Sequence, residues 1–296
     1  MRFNSDQIQK IGKEISSKVD GKTLFDEFSR GRYSTDASVY QIKPLGVVLP
    51  KDTNDVLSLM EYSQKNSVPL LARGGGSSQC GQTVGESVVL DYSKHQNKIL
   101  ELNVEEKYVW VQPGVVLDHL NAYLKPHGLW FPVDVSTSSR ATIGGMSANN
   151  SCGSRSLYYG NMVHNVLAIE AILDDGSIFN FDQINKNYLA TKNNQDRLYK
   201  IIDKFIDVRQ QVGSEIDANW PTTQRRVGGY NIDLIDPEGF NSSNLLVGSE
   251  GTLSLFNKIK LKLSEIPKNK ILGVCYFDNF HQAMELSKEI VKLKPT

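Results

Sequence analysis

Val68-Pro69-Leu70-Leu71-Ala72-Arg73-Gly74-Gly75-Gly76-Ser77-Ser78 is an apolar run that gives way to three glycines and two serines. The apolar part predicts a short buried strand, and the glycines mark where backbone N–H groups become free to hold an anion. Downstream the chain reads Gln79-Cys80-Gly81-Gln82-Thr83-Val84-Gly85, with no apolar residues at helical spacing before the strand-like Val88-Val89-Leu90. The glycines therefore do not open a helix, as they would in the dinucleotide fingerprint; the segment stays a loop. Upstream the order is a strand at Gly46-Val47-Val48-Leu49, a helix near Thr53 to Asn66, the strand at Val68 to Ala72, then glycine. The loop closes a βαβ unit.

A second loop, Ala141-Thr142-Ile143-Gly144-Gly145-Met146, repeats the theme, and two such loops suit a phosphate-bearing cofactor. In the first, glycines permit close approach and the Ser77 and Ser78 hydroxyls add donors. Arg73 either neutralises a pyrophosphate or makes a structural ion pair. Between the loops, Tyr108 to Val111 reads as a strand and Val116, Leu117, Leu120 and Leu124 as a helix ended by His127-Gly128. Beyond them, Val166 to Leu173, the turn Asp174-Asp175-Gly176-Ser177 and Ile178-Phe179 read as a hairpin. A helix near Leu198 to Val212 shows Leu198, Ile201, Ile202, Phe205 and Ile206 on one face, and in a later strand Ile259, Leu261 and Leu263 alternate with lysines. At the ends stand an amphipathic helix carrying Ile8, Ile11, Ile15 and Val19, and a strand at Ile271 to Phe277 followed by a helix from about Asn279 to Lys292. The pattern is mixed α and β.

The 296 residues, 40% of them hydrophobic, suffice for a sizeable core in one large or two modest domains. Lys plus Arg and Asp plus Glu balance at 33 each, so nothing pulls the chain broadly toward nucleic acid or an anionic membrane. Three widely spaced cysteines, Cys80, Cys152 and Cys275, fit neither a disulfide framework nor a zinc or iron–sulfur ligand set, and point to a reducing cytoplasm. No secretory signal or transmembrane stretch is read, although peripheral attachment to the inner membrane stays open. No pair of histidines has metal-ligand spacing, so no metal is expected.

In order along the chain stand Pro44-Leu45-Gly46-Val47-Val48-Leu49-Pro50, the Arg73 to Ser78 loop, Pro113-Gly114-Val115, Phe131-Pro132-Val133-Asp134, Ala141 to Gly145, Asn149-Asn150-Ser151, and Val247-Gly248-Ser249-Glu250-Gly251-Thr252-Leu253. Together they resemble the FAD-linked oxidases of the vanillyl-alcohol oxidase and p-cresol methylhydroxylase (PCMH) type, over roughly residues 32 to 296. Nearest by pattern are the flavin dehydrogenases of D-2-hydroxy acids: D-lactate dehydrogenase, the glycolate oxidase flavin subunit and D-2-hydroxyglutarate dehydrogenase. The resemblance implies an α+β, two-subdomain PCMH-type FAD-binding fold over 32–266. Its small βαβ-containing subdomain would span about 40–100 and its larger mixed α/β subdomain about 101–266. It also implies an N-terminal helical segment at 1–31, and at 267–296 the first strand and helix of an incomplete substrate, or cap, domain. The rest of the cap, with the general base and any metal ligands, and possible iron–sulfur domains of long relatives, would then lie outside this chain.

By the same resemblance FAD is bound non-covalently, because Ser77, Ser78 and Gln79 stand where covalent members carry histidine; attachment through Cys152 is the less favoured alternative. Arg73, Gly74, Gly75, Gly76, Ser77 and Ser78 would hold the cofactor in the first loop. Pro132, Asp134, Ala141, Thr142, Gly144, Gly145 and Asn149 would line the flavin, with Ile169 on the adenine side. Val133-Asp134-Val135 replaces the usual Pro-Asp-Pro, and Asp134 either meets the flavin or caps the Ser136-Thr137 turn. Glu250 either touches the cofactor or holds its own loop. Arg225 and Arg226 are candidate contacts to a substrate carboxylate, or else a basic pair at the surface. His164 lies near the flavin or is a satisfied core histidine.

The implied activity is oxidation of a small D-2-hydroxy acid by hydride transfer to flavin N5, with electrons passed to an acceptor that the residues do not name. A chain ending at Thr296 would then bind FAD but turn over poorly by itself. Two alternatives stand beside it. One is a flavoenzyme like UDP-N-acetylenolpyruvoylglucosamine reductase, disfavoured by the Gly248 to Leu253 segment. The other is a non-catalytic flavoprotein subunit that relays electrons.

Overall fold

The computed structural model describes residues 3–191, 196–223 and 225–295. Helix α1 (Ser5–Ser16) begins in a capping box, the Asn4 side chain accepting from Gln7 N–H and the Gln7 side chain from Asn4 N–H. It buries Ile8, Ile11 and Ile15. There follow β1 (Lys22–Leu24), α2 (Glu27–Arg32), β2 (Gly46–Leu49), α3 (Thr53–Asn66), β3 (Leu70–Arg73) and β4 (Val88–Asp91). The four strands form one sheet in the order β1-β2-β4-β3. The βαβ unit is present, but its two strands are not neighbours: β4 sits between β2 and β3, parallel to both.

Asp52 caps α3 by accepting from the N–H groups of Asn54 and Asp55, and Ser67, at φ 51, turns the chain out of the helix into β3. The buried Asp55 carboxylate accepts from the N–H groups of Asp20, Gly21 and Lys51 at 2.7, 2.9 and 2.7 Å, which ties the N-terminal segment onto this sheet. The N-terminal helix is thus part of the small core, packed with Leu45, Val48, Leu59, Val88 and Leu90.

The second layer is built from β5 (Ile99–Asn103), β6 (Tyr108–Val111), α4 (Leu117–Leu124), β7 (Leu129–Trp130), α5 (Ile143–Asn149), α6 (Ser156–Tyr159), α7 (Met162–Asn165), β8 (Val166–Ile172) and β9 (Ile178–Phe181). It continues through β10 (Gln183–Asn185), α8 (Lys186–Ala190), α9 (Arg197–Gln211), α10 (Gly213–Asn219), β11 (Gly239–Asn241), β12 (Leu255–Lys262) and β13 (Ser264–Glu265), and α11 (Phe280–Lys292) follows. Its main sheet has the order β5-β6-β12-β8-β9, antiparallel throughout, with the expected β8–β9 hairpin at one edge. Ile259 and Leu261 of β12 are fully buried, as their alternation with lysines requires. The larger core gathers Leu120, Leu124, Phe131, Ile143, Ile169, Phe181 and Ile202. The small core runs on into this sheet through Ile172 and Leu255.

Two expectations need correction. The second glycine segment is not a loop: Thr142 is an N-cap whose Oγ1 accepts from Gly145 N–H, and Ile143 to Asn149 form α5. Ile143, Met146 and Ser147, at helical spacing, are its buried face. Residues 271–277 form no strand. Ile271, Leu272 and Tyr276 are 97%, 88% and 91% exposed, and no sheet edge among the described residues pairs with them. An apolar run without a ladder partner or a core to cover it gains nothing by becoming a strand. Helix α11 forms where expected, behind its Asn279 cap, with no buried residue.

Candidate functional site

Where β3 ends against the start of α5, and beside the first residues of β12, lies a cavity of about 440 Å³. The two glycine segments wall this cavity and touch each other. A Cβ on Gly74 would collide with Thr142 Oγ1, and one on Gly75 with the Arg140 carbonyl oxygen. Gly144 donates its N–H to the Pro113 carbonyl at 2.8 Å, and a Cβ there would come within 2.5 Å of Pro113 Cβ. Gly76 stands at φ +64, in the left-handed region that favours glycine. Glycine is needed here for close approach, and only at Gly76 for conformation as well.

Of the residues expected from sequence, Arg73, Gly74, Gly75, Gly76, Ser77, Ser78, Ala141, Thr142, Gly144, Gly145, Asn149 and Glu250 all line this cavity. Arg73 lines the cavity, and backbone carbonyls hold it in place of the structural ion pair. Its guanidinium donates to the carbonyls of Thr35, Thr83 and Tyr33 at 2.8, 3.1 and 3.4 Å and lies 5.3 Å from the Tyr33 ring centroid. It clamps the loop instead of pairing with an acid. Tyr33 in turn donates to Asp91 at 2.6 Å, and burial together with that bond pushes its hydroxyl up to about 12. Ser78 donates to Gln82 Oε1.

Glu250 sits at φ 52 and joins three segments. Its Oε1 accepts from Asn149 Nδ2 at 2.8 Å and Gln82 Nε2 at 3.4 Å, and its N–H donates to the Ala148 carbonyl at 2.9 Å. The mouth of the cavity is therefore cross-linked from the first glycine loop to the end of α5.

Five candidates stand outside the cavity lining: Pro132, Asp134, Ile169, Arg225 and Arg226. Pro132 is buried. Asp134 does not cap the Ser136-Thr137 turn; it accepts from Ser154 Oγ at 2.7 Å and Arg155 N–H at 3.0 Å, and Gly153 packs against it. It holds the segment that follows Cys152. Ile169 is fully buried in the larger core, on a strand paired on both sides. Arg225 donates to the Gly153 carbonyl at 3.0 Å, beside the lining residue Cys152. Arg226 pairs with Asp233 at 2.6 Å and lies 5.1 Å from the Trp220 ring, so that guanidinium has a structural partner. His164 also lies outside the lining; its Nδ1 accepts from Asn161 N–H at 3.0 Å. Burial, and then the charge of Arg226, hold its pKa below the ordinary 6.5, which keeps it neutral at pH 7.

Other lining residues carried no signal in the sequence: Tyr92, the Val135 to Thr137 turn, and Ser254, Leu255 and Phe256 at the start of β12. The last three follow directly on the Gly248 to Leu253 motif, so reading that motif a few residues further would have reached them. Cys80 and Cys152 line the cavity with free thiols.

These features fit a nucleotide cofactor. The backbones of two glycine segments line one space that side chains at Gly74, Gly75 and Gly144 could not share. Two lining residues, Tyr92 and Ser254, carry buried hydroxyls with no hydrogen-bond partner among the described residues. Residues 44–182 match the family model described as FAD binding domain. This segment, just under half of the chain, is where the likeness to the FAD-binding family lies. The cofactor is FAD, which makes the chain a flavoprotein.

The chain is similar to D-2-hydroxyglutarate dehydrogenase of Haemophilus influenzae, 34% identical over 272 residues that make up 88% of this chain and 26% of the relative. The enzyme of the same name from Escherichia coli (strain K12) is 34% identical, over 93% of this chain and 28% of the relative. Glycolate oxidase subunit GlcD of Bacillus subtilis is 30% identical, over 97% and 52%. The chain thus spans about a quarter of the length of the dehydrogenases it matches. A solved structure of alkyldihydroxyacetonephosphate synthase shares the fold, with a TM-score of 0.61 at 18% identity over 88% of this chain and 44% of that one. Among the described residues no helix is long and apolar enough to cross a membrane, and no group of three His, Cys, Asp or Glu side chains is placed to hold a metal ion.

Proposed function

We propose that this chain is the FAD-binding part of an enzyme that oxidises a D-2-hydroxy acid of the lactate, glycolate or 2-hydroxyglutarate class to the 2-oxo acid. The observation that carries the reading is the cavity walled by both glycine segments, taken with relatives named as dehydrogenases and oxidases of such acids. Oxidation removes a hydride from the α-carbon and a proton from its hydroxyl, and bound FAD supplies the two-electron acceptor at N5.

The chain's own residues bind and orient. The N–H groups of Gly74 to Gly76 would hold the diphosphate, while those of Gly144 and Gly145 are taken by the Pro113 carbonyl and Thr142 Oγ1 and let the backbone come close. Glu250, through Asn149 and Gln82, fixes the mouth where the reacting end lies. Arg225, exposed and next to the mouth, is the side chain we assign to the substrate carboxylate; Arg226 is committed to Asp233. The cofactor is held without a covalent bond, since no histidine lines the first loop. We take the FAD-binding domain to run to residue 266, with α1 and β1 joined to the small subdomain that ends at about 100 and the larger subdomain at about 101–266, and assign the electrons to an external acceptor.

The test is anaerobic. FAD-loaded protein is mixed with D-lactate, L-lactate, glycolate and D-2-hydroxyglutarate, and the flavin band near ~450 nm is followed. Bleaching by at least one of these acids, with D-lactate favoured over L-lactate, supports the reading. If none of them bleaches a flavin that dithionite reduces, the substrate assignment fails and an electron-relay subunit becomes the better account.

A further inference from the structure

Between β3 and β4 the first glycine loop runs from Gly74 to Ser87 without a helix or strand of its own, so its shape is set by what it touches. At the cavity it meets Thr142, Arg140 and, through Gln82, Glu250. A second segment holds it from behind. Residues 34–42 leave the end of α2, turn and come back, closed at the base by an antiparallel bridge between Thr35 and Gln41 and by Ile42 N–H, which donates to the Ser34 carbonyl at 2.9 Å. None of these residues lines the cavity.

The contacts of this strap are spread along the loop. Ala37 N–H donates to the Gly76 carbonyl at 3.1 Å. The Thr83 hydroxyl donates to Asp36 Oδ2 at 3.0 Å, while the other oxygen of that carboxylate accepts from Ser38 N–H at 2.8 Å. Asp36 thus fixes the turn of the strap and the far limb of the loop together. The Arg73 guanidinium joins the Thr35 carbonyl to that of Thr83. The Tyr40 ring lies on Gly81, where a Cβ would come within 2.6 Å of it.

The strap itself adds little to the fold. Val39 is 95% and Tyr40 55% exposed, and no residue from 34 to 42 belongs to a buried apolar cluster. What its side chains hold is the loop. A loop kept in its binding shape before the ligand arrives spares the ligand the cost of ordering it, so these contacts act on affinity more than on stability.

We propose that Asp36 and Tyr40 are positioning residues for FAD: they stand outside the cavity and keep the first glycine loop in the shape that binds the cofactor. The proposal rests on the FAD assignment and deepens it. Apo-protein is titrated with FAD, binding is read from quenching of flavin fluorescence, and the thermal midpoint of each apo-protein is recorded. The variants are Asp36→Ala, Asp36→Asn, Tyr40→Ala and Tyr40→Phe. Each alanine variant is expected to weaken FAD roughly three- to tenfold and to leave the apo midpoint within about 2 °C of the wild type. The asparagine and phenylalanine variants should bind FAD within about twofold of the wild type. Asparagine keeps an oxygen for Ser38 N–H and an amide for the Thr83 hydroxyl, and phenylalanine keeps the ring on Gly81.

An alanine variant that binds FAD as the wild type does, or a conservative variant as weak as its alanine partner, would overturn the proposal. So would an apo midpoint lowered by more than about 2 °C, which would make the strap a support of the fold. If the wild type binds no FAD, the FAD assignment falls and this proposal with it. If the wild type binds FAD and the alanine variants bind it equally well, only the proposal falls.

Discussion

The two glycine segments that wall the cofactor cavity have the same task and are built differently. The first is a loop held from outside, by the Arg73 guanidinium on three carbonyls and by the left-handed turns at Gly76 and Gly81. The second is held from inside, by a Thr142 cap and seven residues of helix whose apolar face is buried. The difference shows that glycine marks close approach of backbone to backbone or ligand, and says little about the secondary structure around it. It also separates the weaknesses of the two walls: the first depends on one side-chain clamp, the second on local helix geometry.

The largest effect that would sharpen this comparison comes from adding a methyl group to each wall. Gly75→Ala drives a Cβ into the Arg140 carbonyl, a backbone atom that cannot swing away, so FAD retention should be lost and stability should fall by about 1–3 kcal/mol. Gly145→Ala meets only Thr142 Oγ1 at 3.4 Å and lies inside a helix, where alanine is preferred. It should bind FAD within about twofold of wild type, a change too small to register as one lost hydrogen bond. Flavin content after gel filtration and the thermal midpoint check both; equal damage from the two would erase the distinction drawn here.

Next in size are the supports themselves. Arg73→Ala removes three hydrogen bonds from a charged donor and a stack on Tyr33, and should cost about 2–4 kcal/mol in denaturant unfolding. Thr142→Ala removes one long cap bond of 3.4 Å and should cost about 0.5–1 kcal/mol. An Arg73 variant as mild as the Thr142 variant would show that the first loop does not depend on its clamp.

Much of this was legible in the chain. Val47-Val48 and Val88-Val89-Leu90 are unbroken apolar runs, and they are the buried parallel strands. Ile8, Ile11 and Ile15 declared the buried face of α1 by spacing alone. The order β1-β2-β4-β3 was not legible, because which strand lies beside which depends on contacts distant in sequence. Helix α5 was hidden because two of its seven residues are the glycines that read as a loop. Ile271 to Phe277 has the apolar run of a strand and, among the described residues, lacks the edge that would make it one. In the site, the glycines were readable since their spacing in sequence is local. Tyr92 and Ser254 were not, since only the packing of β4's end against the start of β12 places them on one cavity.

A smaller effect follows from titration. The folded-state pKa of Tyr33 is raised above its ordinary 10 to about 12, so the stabilisation it brings is complete below pH 10 and is lost as pH rises through about 12. The ionised phenol can no longer donate to Asp91. Because Arg73 stacks on Tyr33, limited proteolysis between pH 10 and 12 should open the first loop before α5, and Tyr33→Phe should remove that step. Simultaneous opening of both walls would contradict it. The least effect is expected of Glu250→Gln, which keeps an acceptor for Asn149 Nδ2 and should shift the thermal midpoint by no more than about 1–3 °C.

The central claim is that these two walls enclose an FAD held without a covalent bond. The visible absorption spectrum of the purified protein, after incubation with FAD and removal of free flavin, tests it most directly when repeated on the supernatant of the denatured protein. The account predicts flavin bands near ~370 and ~450 nm that pass entirely into the supernatant. Flavin retained in the precipitate would contradict non-covalent binding and direct attention to Cys152. A protein that stays colourless would contradict the assignment of the cavity itself.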